Sequence, residues 1–336
     1  MNLKAKLAAA LIGTALLVTA SVVYTLQAKA NSPERRQAEV AVDKARPARL
    51  EPGRLLFRSL AGGVDHGKVA SVSLADPGGP RRVSTLGCDR FSAAANEGLC
   101  LIGVPGPAPS AAAVFVDAGL AEVKRVDVAG IPNRAKLSAD GRMASWTTFV
   151  TGDSYSQAGS FSTRTAIMDR REDQLSSNME DIPLRIGDRR HHGEDVNYWG
   201  VTFAKDNRVF YATVATGGRT YLVQGDNEAW AAHTLRENAE CPSLSPDGTK
   251  LAFKKRVSAD GARPWREHVL DLATMKETPL AETRSVDDQV IWLDENTIAY
   301  GLPGENGAAG DIWAVPADGS GTPRLLVPRA ASPSVA

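Results

Sequence analysis

Residues 241–256, Cys-Pro-Ser-Leu-Ser-Pro-Asp-Gly-Thr-Lys-Leu-Ala-Phe-Lys-Lys-Arg, place a turn between two short apolar runs. Pro246 presets φ, Asp247 can bond the local backbone, and Gly248 tolerates positive φ, so the stretch reads as a β-hairpin. One such hairpin says little; its recurrence constrains the whole chain. Leu137-Ser138-Ala139-Asp140-Gly141-Arg142 is the closest copy. Phe203-Ala204-Lys205-Asp206-Asn207 puts Asn in the glycine position, Trp292-Leu293-Asp294-Glu295-Asn296 is shorter, and Phe91 to Cys100 is the most degraded. Anchored on the apolar residues at 91, 137, 203, 244 and 292, the copies lie 46, 66, 41 and 48 residues apart. A propeller blade of four strands takes roughly 40–50 residues, and the longest interval reads as one blade with an insertion over Thr151–Thr163.

Each hairpin is followed by material for two more strands. Asp311-Ile312-Trp313-Ala314-Val315 and Pro323-Arg324-Leu325-Leu326-Val327 supply them in the last unit, and His268 to Leu272 with Glu277 to Leu280 in the fifth. No long amphipathic helix interrupts the pattern, which argues for an all-β chain. The phrases Ser-Pro-Asp-Gly-x-x-Leu-Ala-Phe and strand-Ala-Asp-Gly-strand resemble the repeat of the TolB-like, WD-repeat-like β-propellers over residues 52–336. The resemblance is specific in units three, five and six and loose in units one and two. It implies a six-bladed propeller of four-stranded antiparallel blades, extracytoplasmic and non-catalytic. Unit one lacks an innermost strand ahead of Arg54, while Ser332-Pro333-Ser334-Val335 echoes Cys241-Pro242-Ser243-Leu244. Residues 332–336 are therefore expected to pair with Arg54–Leu60 and close the ring.

The first 30 residues read as a targeting segment. Lys4 and Lys6 precede an uncharged stretch from Leu7 to Gln27, and Ala28-Lys29-Ala30 fits a small-x-small cleavage pattern. The stretch is also long enough to span a bilayer, so a cleaved signal peptide and an N-terminal membrane anchor are both open. Either one places the body outside the cytoplasm, secreted or anchored. Residues 31–51, charged and without aromatics, read as a linker with little structure of its own. Lys+Arg and Asp+Glu number 39 each, and this zero balance argues against nucleic-acid binding, which depends on neutralising phosphates. The local basic run Arg185, Arg189, Arg190 reads as a solvated loop.

In an exported chain a cysteine pair can be oxidised. Cys88 and Cys100 lie on the arms of one hairpin and are expected to form a disulfide, leaving Cys241 unpaired. The five histidines have no metal-ligand spacing, and Gly152-Asp153-Ser154 lacks the strand-to-helix context of a nucleophile elbow, so no metal and no cofactor are expected. The Asp-Gly turns carry one carboxylate each and read as turn formers.

The leading functional expectation is a non-catalytic scaffold, monomeric, that binds a protein, peptide or glycan at the cell envelope. In a propeller, the connections into each innermost strand and those between second and third strands open on one face. That face would gather Tyr155, Asn197, Tyr198, Trp199, Arg263 and Trp265 as a ligand-binding surface, aromatic residues supplying contact area and arginine directed donors. Wedging of Tyr198 and Trp199 between blades is the competing expectation. The rival function is a propeller enzyme of glycoside hydrolase or lactonase type at the central tunnel, built on carboxylates such as Asp153, Glu194, Asp195, Asp287 and Asp288.

Overall fold

The structure, a computed structural model, describes residues 40–150, 162–261, 263–304 and 308–336. The targeting segment and Tyr155 lie outside the described residues. Six sheets follow one another along the chain. Blade one combines Arg54–Ser59, Lys68–Ser73 and Arg82–Gly87 with an innermost strand, Ala330–Val335, drawn from the far end of the sequence. The innermost strands of blades two to six are Arg90–Ala94, Ile131–Leu137, Asn197–Phe203, Glu240–Leu244 and Ile291–Trp292. The expected closure is therefore present: Leu55 pairs with Val335, Leu56 with Ser334 and Ser59 with Ala330, all antiparallel.

The recurring hairpin folds by its local chemistry. Ser245 Oγ donates to Asp247 Oδ1 at 2.6 Å, the same carboxylate accepts from Thr249 N at 3.0 Å, and Gly248 turns at φ +78°. These bonds pull the Asp247 carboxyl down to about 2. Ser138, Asp140 and Gly141 repeat the arrangement, with Ser138 Oγ on Asp140 Oδ1 at 2.7 Å and Gly141 at φ +73°. In blade two the turn falls on Ala95 and Asn96, so the residue matching Leu137 is Ala93 and not Phe91.

Apolar residues alternate along the inner strands and meet between blades. Each of the six inter-blade seams has its own buried cluster, among them Leu55, Phe57, Ala299 and Ile312 between blades one and six, and Phe115 with Trp146 between two and three. The Phe115 and Trp146 rings meet edge to face at 6.3 Å. The disulfide joins Cys88 to Cys100 as expected, with Cα atoms 5.6 Å apart, and Cys241 is free and buried.

Two departures from expectation have simple causes. Residues 40–51 are not a free stalk: Ala48 and Leu50 are buried, Asp43 N bonds Arg81 O at 2.7 Å, and Leu50 N bonds Ala118 O at 2.9 Å. The segment runs along the outer strand of blade one and docks on blade two, placing two small apolar side chains that its overall charge had masked. The basic run at 185–190 is a hairpin, Leu184–Ile186 with Arg189–His191, that extends blade four to six strands by pairing parallel to Ala231–Glu237.

Candidate functional site in the axial channel

The six innermost strands enclose a channel of about 410 Å³. Hydroxyl groups lock neighbouring strands around it. Ala93 N donates to Ser334 Oγ at 2.8 Å, Leu137 N to Ser92 Oγ at 3.0 Å, and Leu244 N to Thr202 Oγ1 at 3.3 Å. These bonds define a ring of equivalent positions: Ser92, Lys136, Thr202, Ser243, Ile291 and Ser334. Two residues earlier along the chain is a second ring of positions, Arg90, Arg134, Gly200, Cys241, Gln289 and Ser332; in the regular stretches of blades two and three this puts Arg90 and Arg134 on the same side of the strand as Ser92 and Lys136. The second ring lies at the mouth where the chain enters each innermost strand.

Backbone irregularity shapes that mouth. Gly200, Cys241 and Ser332 all have positive φ (+65°, +52° and +52°), at bulges in their strands. A bulge re-aims side chains at the start of a strand. At Gly200 the bulge also brings backbone against backbone: a Cβ there would lie 2.8 Å from Cys241 Cα. Gln289 reaches from blade six to the carbonyls of Pro242 at 2.9 Å and Val201 at 3.3 Å, covering the side of blades four and five. The open side of the mouth belongs to blades two and three.

There the charges gather. Arg90 Nη1 lies 3.4 Å and Arg134 Nη1 3.9 Å from the same Asp288 oxygen. Arg134 is further held by Asn133 Oδ1 at 2.7 Å and Cys241 Sγ at 3.8 Å, while its Nε is buried without a partner. Below it on the same strand, Lys136 has no ion pair or hydrogen bond among the described residues. Its side chain is half-buried, and burial lowers its ammonium to about 8.

Behind the wall, blade five carries a buried row directly across its strands: Glu240, Lys254 and Glu267. Lys254 pairs with Asp287 and, at 3.7 Å, with Glu240, and its Nζ lies 4.2 Å from the Trp265 ring centroid. Arg256 covers the same ring at 4.5 Å. Glu267 has neither oxygen hydrogen-bonded, and burial raises its carboxyl well above the usual range.

The sequence-expected surface is only partly assembled. Arg263, exposed, and Trp265, half-buried, share the entrance face at blade five, linked to the mouth through Lys254 and Asp287. Tyr198 is fully buried in the seam between blades three and four and so presents nothing to a ligand; the wedged alternative holds for it. Trp199, on the opposite side of the strand, is half-buried. Asn197 is engaged structurally, accepting from Thr163 N at 2.9 Å and donating to Asp195 O at 3.1 Å. The channel cations Arg90, Arg134 and Lys136 were missed, although each is a long charged side chain in an otherwise short, small-residue innermost strand. No cluster of three His, Cys, Asp or Glu side chains suited to a metal ion occurs among the described residues.

No family model matches the sequence, and no curated protein matches it. Solved structures do match. TolB from Acinetobacter baumannii superposes with TM-score 0.58 at 15% identity, over 84% of this chain and 66% of that one. A chain of a nidogen/laminin complex gives 0.54 at 13% identity, over 84% and 97%. A puromycin-hydrolysing peptidase of Mycobacterium tuberculosis gives 0.50 at 15% identity, over 84% of this chain but only 44% of that one. The chain thus spans just under two thirds of the TolB structure and less than half of the peptidase. What these likenesses establish is architecture: the chain is a six-bladed β-propeller of the kind seen in TolB, closed by its own C-terminal strand.

Proposed function

We propose that this propeller is an extracytoplasmic, non-catalytic binding module that holds a protein or peptide segment at the entrance-side mouth of its channel. The mouth itself carries the reading. Arg90 and Arg134 share one carboxylate, Asp288, in the lining of the channel, and Trp265, on the same face at blade five, is linked to its neighbour Asp287 through Lys254, so directed donors and an aromatic surface lie on one face. Arginine and tryptophan are the residue types that dominate binding energy at protein interfaces. The disulfide fits an oxidising compartment. Likeness to a structure of a nidogen/laminin complex adds a propeller of similar fold from a protein–protein assembly.

The propeller-enzyme reading is favoured by one observation, the buried carboxyl of Glu267, which burial first and then Asp287 and Asp288 raise well above its usual range. Both Glu267 oxygens are sealed from the channel, which weighs against their touching a substrate. Two measurements separate the readings. The exported body, residues 31–336, should retain a defined envelope protein that the Arg90→Glu/Arg134→Glu variant does not, while Arg324→Glu, on an outer strand, leaves retention intact. Retention equal in all three proteins would sink the mouth as the site. Turnover of aryl glycosides or lactones that disappears in Glu267→Gln would replace binding by catalysis.

A further inference from the structure

The channel carries an imbalance of charge that its packing does not require. Four basic side chains line it, Arg90, Arg134, Lys136 and Lys205, against one acidic side chain, Asp288. Asp288 is already shared by the two arginines. Lys136 is the anomaly. Its ring position is filled by hydroxyl residues in four blades, and in three of them the hydroxyl accepts the amide of the next blade. A threonine at 136 could make the same bond. The lysine makes none, and holds an ammonium within the protein with no counter-ion. Unpaired charge in such surroundings is costly unless something else neutralises it.

We infer that the channel receives one anionic group, a carboxylate carried by the bound polypeptide segment, with Arg90 and Arg134 receiving it at the mouth and Lys136 holding it below them. This rests on the peptide-binding reading and names the chemistry of the group recognised. The chain carries the carboxylate either on an acidic side chain or at its C-terminus. Asp288 then acts as a gate charge that occupies the arginines until the ligand carboxylate replaces it. Burial lowers the basicity of Lys136, and a carboxylate beside it would favour the charged form again.

Because free Lys136 is deprotonated more readily than surface lysines, its acetylation rate, followed by peptide mass spectrometry, reports occupancy. Three probes suffice: a blocked pentaglycine with a central Glu, the same peptide with Gln, and unblocked-C-terminus pentaglycine. The Glu peptide, the free-carboxylate peptide or both should slow Lys136 acetylation several-fold, and the pattern tells side chain from C-terminus; the Gln peptide should not. Asp288→Asn should tighten the effective probe about tenfold or more, the usual consequence of removing a nearby like charge. Lys136→Thr should fold at least as stably as the parent and lose probe binding, followed for that variant by calorimetry. Equal protection by the Gln peptide, or protection by inorganic phosphate but by no peptide, would overturn the inference, as would no protection by any probe. A Lys136→Thr protein that still retains the envelope partner fully would leave the mouth as a binding site and remove only the carboxylate.

Discussion

Glu267 is 1% exposed, and the ammonium opposite it, on Lys254, is taken by Asp287 and Glu240. Burial therefore keeps the Glu267 carboxyl protonated in the fold at a pH where the unfolded chain has lost that proton. A raised folded pKa means that the group's contribution is complete below the unfolded value, about 4.3, and is lost as pH rises toward the folded one. Within that window stability falls by about 1.4 kcal/mol per pH unit from this residue alone. Glu267→Gln keeps the shape and removes the proton, so in urea titrations it should gain on the parent steadily as pH rises above the unfolded value of about 4.3. A difference between the two proteins that stays constant across that range would show that Glu267 is ionised and paired in solution. Lys136 has the opposite sign of charge and the same physical cause, which is why substituting it should not harm the fold.

At the scale of elements, the Cys88–Cys100 bridge ties the approach to blade two's innermost strand to the strand beside it, where Phe91 pairs with Cys100. With a sequence separation of 12 between its ends, it should contribute about 3 kcal/mol by restricting the unfolded chain. Exported protein should gain two hydrogens in intact mass on reduction, and Cys88→Ser/Cys100→Ser should lower the denaturation free energy by that amount; an unchanged mass would refute the bridge in solution. This element was legible in the sequence because both cysteines fall on one hairpin. The repeated Asp-Gly turns were legible for the same reason: their chemistry is local, as Ser245, Asp247 and Gly248 show. Non-local features were not. The local hairpin of Leu184–Ile186 joins blade four only through parallel pairing with a strand some fifty residues on, and Ala48 and Leu50 are placed only by the seam they fill. Arg90, Arg134 and Lys136 alternate along their strands as solvent-facing residues do. That the solvent they face is an enclosed channel is a property of the closed ring, not of any one strand.

Ring closure is the property on which the whole molecule depends, since without Ala330–Val335 blade one would present Arg54–Ser59 as an open edge. Three sets of contacts hold that last strand. It pairs with blade one from Leu55 to Ser59, and its Ser332 and Ser334 hydroxyls accept the amides of Phe91, at 3.1 Å, and Ala93, at 2.8 Å, in blade two. Arg81, only 2% exposed, clamps the approach by donating to the carbonyls of Pro328 and Arg329 while covering the Phe57 ring at 5.0 Å. The strand thus joins blades six, one and two in a few residues. Ser332→Ala/Ser334→Ala removes two hydroxyl acceptors and should cost about 2 kcal/mol, at about 1 kcal/mol per bond. Deleting residues 330–336 removes those bonds, the ladder and the burial of Ala330, and bares Leu55, Leu56 and Phe57 at an unpaired edge. At about 2–4 °C per kcal/mol for a domain of this size, the melting temperature should fall by roughly 10 °C or more. The exposed edge should also make the shortened protein self-associate, visible as a larger species by light scattering. A truncated protein that melts with the full chain and stays monodisperse would mean that blade one is stable with three strands and that the terminal strand is an accessory to the ring.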